Sequence, residues 1–346
     1  MDDALSAALA HLAAGERLSA AVAEGAVAAL LDGLAGEDEA AELLTALAQG
    51  GETADELEGA VRAVRARMIP FRTTGDRPAI DTCGTGGDRS GTLNLSTGAA
   101  VIVCACGARV IKHGNRAASS RSGSTDVLEA LGVAIAVDHD RSRRCLDEFG
   151  ITYLHAPAFH PGLAMVAPVR RRLPFRTLLN LVGPLANPAS PRFQVVGCPD
   201  PDRATLMAGV LARLGHIERA LVVTGEDGLD EVTLAGQTQA LLIERGSITP
   251  MTLGPGDFGL PRTSAQTIQV ENALESAARL RLAFQGERGP ARDYLVANAA
   301  TALWTMGTHT LMEGARAAEA ALDQGAVARL VERWALLCPA TREAQA

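Results

Sequence analysis

Apolar and polar positions follow two different rhythms along this chain of 346 residues. In the first 70 or so, Leu5, Ala8 and Leu12, then Val22, Val27, Leu30 and Leu31, recur at helical spacing. Thr53 and Glu56 form a capping-box signature, opening a helix through Val61 and Val64. The polar run Arg72 to Pro78 contains Gly and Pro and reads as the connector that ends this helical region.

From Ala79 the rhythm changes. Short runs rich in β-branched residues, Ala79–Cys83, Arg109–Ile111, Val133–Val137, Gln194–Cys198, Ala220–Thr224 and Ala240–Ile243, predict strands. Between them, Ala99–Cys106, Thr125–Leu131, Arg141–Phe149 and Asp202–Leu214 predict helices. Beyond about residue 270 the chain reads as helix again, with pieces at Asn298–Met306, Gly314–Leu322 and Ala326–Leu337. Strands alternating with helices predict an α/β fold: a mostly parallel sheet covered on both faces, preceded by a small N-terminal helical domain.

Composition narrows the choice of partner. With 32 basic and 40 acidic residues the net charge is −8, a poor match for nucleic acid or an anionic membrane surface. The start Met1-Asp2-Asp3 has no basic segment of the secretory kind, and the longest apolar run, Ala99 to Cys106, is far short of the ~20 residues a bilayer needs. Six cysteines occupy positions 83, 104, 106, 145, 198 and 338 without zinc-binding spacing, which predicts reduced thiols in a cytoplasmic protein. Of the 32 basic residues only Lys112 is a lysine. Either chance spared it, or its site accepts a compact ammonium and not a planar guanidinium.

Candidate chemistry gathers at four places. Asp81-Thr-Cys-Gly84-Thr-Gly86-Gly87-Asp88, continuing through Thr92, Asn94, Ser96 and Thr97, is a Gly-rich turn between an apolar strand and an apolar helix. Exposed amides and a helix N-terminus there suit a phosphate, although the spacing fits neither a Walker A loop nor the dinucleotide fingerprint. One strand later, Lys112-His113-Gly114-Asn115-Arg116 opens a loop that is dense in serine up to Ser124, at the expected ligand edge of the sheet. Asp230-Glu231 ends an acidic loop that either binds Mg²⁺ or is simply solvated. Arg170, Arg171 and Arg172 lie on a predicted helix and cannot share one face, so at most two can clamp a carboxylate. Turn chemistry accounts for the Asn and Pro residues of Asn180 to Pro188.

Together these segments resemble the anthranilate phosphoribosyltransferase family over nearly the whole chain. The motifs that carry the resemblance are Gly84-Thr-Gly-Gly-Asp88 with Asn94-Leu-Ser96-Thr97, and Lys112-His-Gly-Asn-Arg116 with Ser-Gly-Ser124. Pro168-Val-Arg170, Asn180–Pro188, Leu229-Asp-Glu231 and the helix from Gly51 to Arg65 add to it. The resemblance implies the architecture shared with pyrimidine nucleoside phosphorylases. A helical domain of residues 1–72, joined by helices around 166–190, would stand beside an α/β domain of 73–165 and 191–346. It also implies a homodimer formed through the helical parts.

The activity implied is transfer of a phosphoribosyl group from phosphoribosyl pyrophosphate to anthranilate, with Mg²⁺ as cofactor. Phosphoribosyl pyrophosphate would be bound by Gly84, Gly87, Asp88, Thr92, Asn94, Ser96, Thr97, Lys112, His113, Gly114, Asn115, Arg116, Ser119, Ser120 and Ser124. Ser96, Asp230 and Glu231 would hold the metal. Gly84, Asn115 and Arg170 would contact anthranilate, with His113 lining the same place. Lys112, His113, Asn115 and Arg170 would carry the catalysis. The chain departs from the family at Arg89 and Pro174, where glycine is usual, and at His155, where an aromatic is common. A pyrimidine nucleoside phosphorylase is the rival enzyme, but the chain lacks its C-terminal extension. A non-catalytic relative that binds nucleic acid is the rival of another class, and the acidic balance opposes it.

Overall fold

A computed structural model describes residues 2–116, 121–135 and 138–339. Helices α1 (Asp3–Ala13), α2 (Ala20–Leu31), α3 (Glu37–Gly50) and α4 (Ala54–Arg67) form an N-terminal bundle. The capping box is present: Glu56 N–H donates to Thr53 Oγ1, and Thr53 N–H to Glu56 Oε2 at 2.8 Å. The buried Glu56 carboxylate also accepts the Leu18 amide and pairs with Arg17, which compensates its desolvation. α2 and α4 approach so closely that a Cβ on Gly59 would meet the backbone of Ala20 and Glu24.

The strands are β1 (Ala79–Gly84), β2 (Arg109–Gly114), β3 (Ile151–His155), β4 (Phe193–Gly197), β5 (Arg219–Gly225), β6 (Thr238–Glu244) and β7 (Ser247–Leu253). Among the described residues they make one sheet in the order β3-β2-β1-β4-β5-β6-β7, parallel from β3 through β5 and antiparallel from β5 to β7. Both faces are covered, as alternate residues of β5 show. Leu221 and Val223 join one apolar cluster, Ala220 and Val222 the other.

The first cluster packs α5 (Leu95–Ala105), α6 (Ser124–Ala130) and α7 (His139–Phe149) with the C-terminal helices. These are α12 (Ala273–Phe284), α13 (Pro290–Thr305), α14 (Leu311–Asp323) and α15 (Ala326–Leu337). The second cluster joins the N-terminal bundle to α9 (Leu163–Arg172), α10 (Leu179–Leu185) and α11 (Pro201–Arg213); the single-turn α8 (Ala156–Phe159) follows β3. Val166, Val169, Leu181 and Val182 share that core with Leu5, Leu43 and Leu57.

Two expectations fail. Residues 133–137 contain no strand among the described positions: Val133 makes one isolated bridge to Pro339, and 136–137 lie outside the described residues. The strand beside β2 is instead Ile151–His155, whose Tyr and His hide its apolar character. Second, the chain does not leave the sheet at Lys112. β2 continues to Gly114, paired with β3 as far as His155, so Lys112 and His113 are buried strand residues and not loop residues.

Candidate active site

The site grows from an irregularity in the sheet. β1 meets β4 in a regular ladder from Ile80–Phe193 to Gly84–Gly197, but meets β2 only at Ala79–Arg109 and Ile80–Val110. Beyond Ile80 the two strands part, and the backbone groups so exposed must find other partners. Side chains supply them. Lys112 Nζ donates to Thr82 O, Asn187 Nδ2 to Ile111 O at 2.9 Å, and Asp81 Oδ1 accepts the His113 amide at 3.2 Å. Asn187 Nδ2 also reaches Asp81 Oδ2 at 2.8 Å. Turn chemistry therefore explains only half of Asn187: its Oδ1 accepts the Ala189 amide, while its amide nitrogen closes the gap between two strands.

Lys112 is 2% exposed, and Nζ also donates to Ser96 Oγ at 3.1 Å, directly under the first turn of α5. Burial pulls its pKa down, opposed chiefly by the neighbouring Asp81 carboxylate and then by Glu231 and Asp230. Burial likewise pushes Asp81 up, against the pull of Lys112.

Above the gap, the loop after β1 winds through positive φ at Gly86, Gly87, Arg89 and Gly91. Arg89 adopts φ 56° where glycine would be unstrained, at a cost of about 1–2 kcal/mol. Asn94 caps α5, its Oδ1 accepting the Thr97 amide at 3.0 Å, and its Nδ2 donates to Ser122 O. The acidic loop after β5 closes over this turn. Asp230 Oδ2 accepts the Gly86 amide at 2.8 Å, and Glu231 Oε1 accepts the Ser96 amide at 3.1 Å. The two acids thus clamp both ends of the turn at the N-terminus of α5, whose partial positive charge suits them. Burial still pushes both upward, helped at Asp230 by the Asp88 charge, which brings it to about 7, and at Glu231 by the Asp230 charge. Glycine is required on the facing strands, because a Cβ on Gly84 would stand 2.7 Å from Asp230 Oδ2 and one on Gly197 would overlap Asp230 O.

The donor set fits a hard cation. Among the described residues no three His, Cys, Asp or Glu side chains gather at a point. Two carboxylates and the Ser96 hydroxyl border the same turn, and Glu231 Oε2 has no hydrogen-bond partner among the described residues. Mg²⁺ takes such sparse protein ligation when substrate phosphates and water complete its shell.

The basic wall comes from α9 and the segment after it. Arg172 turns outward to Glu37 and Asp38, and Arg171 is exposed. Arg170 is half-buried and makes no hydrogen bond among the described residues; burial and then Arg176 lower its pKa. Arg176, which the motif reading passed over, donates to Gly86 O and to Thr85 O at 2.8 Å, so it holds the carbonyl side of the loop whose amide Asp230 holds. Only its position one residue before the Thr177–Asn180 turn could have drawn attention to it.

His113 faces His160, Nε2 to Nε2 at 3.2 Å. Burial drives His113 down to about 3 and His160 to about 4, so both rings are neutral at physiological pH. Thr92 is held by Ser90, and Asp88 Oδ1 accepts the Ser90 amide. Gly87 lies in the same turn against Arg176, and Thr97 is buried in α5, its Oγ1 without a hydrogen-bond partner among the described residues. Gly114 ends β2 against Tyr153, and Ser124 opens α6. Asn115 lies just beyond β2, its Oδ1 accepting the Arg116 amide. Arg116 itself is turned onto Glu129 and Asp126. Ser119 and Ser120 lie outside the described residues.

This arrangement of helical bundle, α/β sheet and phosphate-type turn is that of a glycosyl transferase. The helical bundle domain of the glycosyl transferase family matches residues 6–68, and its a/b domain matches residues 76–328. The chain belongs more narrowly to the anthranilate phosphoribosyltransferase family. It is 45% identical over 289 residues to the anthranilate phosphoribosyltransferase of Moorella thermoacetica, covering 81% of this chain and 85% of that one. With the enzyme of Thermomicrobium roseum it shares 44% over 294 residues, 84% of each chain. The crystal structure of the Thermus thermophilus enzyme superposes with a TM-score of 0.88 at 39% identity, covering 95% of this chain and 98% of that one. The Saccharomyces cerevisiae enzyme, in complex with PRPP and Mg, gives 0.90 at 25% identity over 97% and 98%.

Proposed function

We infer that this chain transfers the phosphoribosyl group of phosphoribosyl pyrophosphate to the amine of anthranilate, giving N-(5-phosphoribosyl)anthranilate and pyrophosphate, a step of tryptophan biosynthesis. The observation that carries the residue assignments is that Asp230 and Glu231 clamp the turn between β1 and α5 at Gly86 and at Ser96, with Lys112 on the Ser96 hydroxyl. The loop amides of Gly87 and Asp88 and the turn at Thr92, Asn94, Ser96 and Thr97 cradle the phosphates, with the 112–124 segment completing the cradle. Asp230, Glu231 and Ser96 are the residues that would hold Mg²⁺, which when bound supplies neutralising charge to the departing diphosphate.

Arg170, a partly desolvated guanidinium with no partner of its own, takes the anthranilate carboxylate. Gly84, Asn115 and neutral His113 line the acceptor place. The amine of anthranilate attacks C1 of the ribosyl ring as the bond to the diphosphate breaks, and an arylamine needs no strong base to do so. Lys112 and the loop amides stabilise the negative charge that develops on the leaving group. Positioning supplies the rest.

Two further assignments belong here. The six free cysteines support a reducing, cytoplasmic setting. Exposed Leu34, Ile69, Met165 and Phe175 on and beside the helical bundle support a homodimer formed through that unit. No helix among the described residues is long and apolar enough to cross a membrane.

Anthranilate fluorescence tests the reading. Its decay in the presence of protein should require phosphoribosyl pyrophosphate and Mg²⁺ together, and decay without either would refute the reaction. The double variant Asp230→Asn, Glu231→Gln should raise the half-saturating Mg²⁺ about tenfold or more. An unchanged Mg²⁺ curve removes both acids from the metal site.

A further inference from the structure

Cys145 and Cys338 stand apart from the other thiols. Their Sγ atoms are 3.0 Å apart, although 193 positions separate them in sequence. Cys145 lies on α7 and Cys338 closes α15, and each is 1% exposed. The same corner is tied by backbone: the Ala134 amide donates to Cys338 O at 2.6 Å, and Val133 bridges Pro339. The catalytic reading uses neither thiol, and among the described residues neither bonds to a residue of that site.

We propose that Cys145 and Cys338 are a disulfide-forming pair, a modification site that joins α7 to the end of α15. The two sulfurs have to close by about 1 Å to reach bonding distance. The electrostatics assign the roles. Cys338 is drawn down by its hydrogen bond from Cys145 and by Arg141 and Arg144, whereas burial holds Cys83, Cys104, Cys106 and Cys198 up. Cys338 is therefore the attacking thiolate.

The oxidant is a low-molecular-weight disulfide. Cys338 thiolate attacks one of its sulfurs, forming a mixed disulfide and expelling one thiolate. Cys145, having lost its proton to solvent, then attacks Cys338 Sγ and expels the second. Two protein thiols become one disulfide, and one small disulfide becomes two thiols. Because both sulfurs are buried, the first attack waits on opening of the last turn of α15, and the exchange is slow. In a reducing compartment the pair stays reduced and closes when the disulfide pool rises.

The full-length protein is incubated with oxidised glutathione, its remaining thiols are alkylated in denaturant, and the digest is read by mass spectrometry. A peptide linking Cys145 to Cys338 is expected, with activity kept within twofold. The covalently closed loop should raise Tm by about 5 °C, reversibly with a thiol reductant. The Tm of Cys145→Ala should not respond to the oxidant, while Cys104→Ala should respond as the parent does. Alkylation of both cysteines after oxidation, a persistent glutathione adduct on Cys338, or a link from Cys145 to Cys104 would each overturn the proposal. Mapping the cross-link on the parent protein keeps the test decisive even if a variant folds poorly.

Discussion

The two sides of β1 are built differently. Toward β4 it keeps five successive paired positions, Ile80–Phe193 to Gly84–Gly197; toward β2 it keeps two and then diverges. The regular side is a rigid reference that carries Gly84 and Gly197 up against Asp230. The divergent side replaces ladder bonds with Lys112, Asp81 and Asn187, and so brings ionisable groups into the middle of a sheet. Backbone pairing holds the strands; side chains filling a missing ladder hold chemistry. The same lysine that satisfies Thr82 O can therefore also face Ser96 and the acids above it.

The largest effect should come from disturbing the regular side. Gly197→Ala places a methyl on the backbone oxygen of Asp230, so the acidic loop must move off the turn. Turnover should fall about a thousandfold or more, with the sheet's far-ultraviolet signature retained. Wild-type turnover would mean that β4 does not set the position of the acids.

On the divergent side, Lys112→Arg keeps the charge but forces a planar fork into a nearly closed gap. A loss of about a hundredfold in kcat is expected, together with a lowered Tm. An unaffected enzyme would make the lone lysine an accident of composition.

Asn187→Ala should act on stability before activity. It strips hydrogen bonds from Ile111 O and Asp81 at a buried position, a loss of about 2–3 kcal/mol in urea unfolding. A loss below about 0.5 kcal/mol would show that the two strands need no bridge there.

Much of this was legible because local chemistry is local in sequence. The Gly-rich turn, the capping box at Thr53 and the adjacent acids lie on short segments whose residue types declare their use. The helical and α/β regions likewise follow from periodicity. What escaped depends on partners remote in sequence. Arg176 matters because it reaches Thr85 and Gly86, Asn187 because it reaches Asp81, and Gly197 because Asp230 lies against it. β7 escaped because its residues are mostly exposed and it carries Pro250, tolerable only at a sheet edge. The length of β2 was misjudged because a lysine and a histidine resemble a loop until the divergence beside them is seen.

The clamp on the turn after β1 also orders events in time. Gly86 and Ser96 leave the ribosome well over a hundred residues before Asp230 and Glu231, the groups that accept their amides. β1 likewise waits for Phe193 before its regular neighbour exists. The nascent chain can gather its helical bundle from local contacts, but the Gly-rich turn stays unclamped until the acidic loop has been made. A product cut short before residue 230 therefore carries the whole Gly-rich segment and neither of the acids that hold its ends.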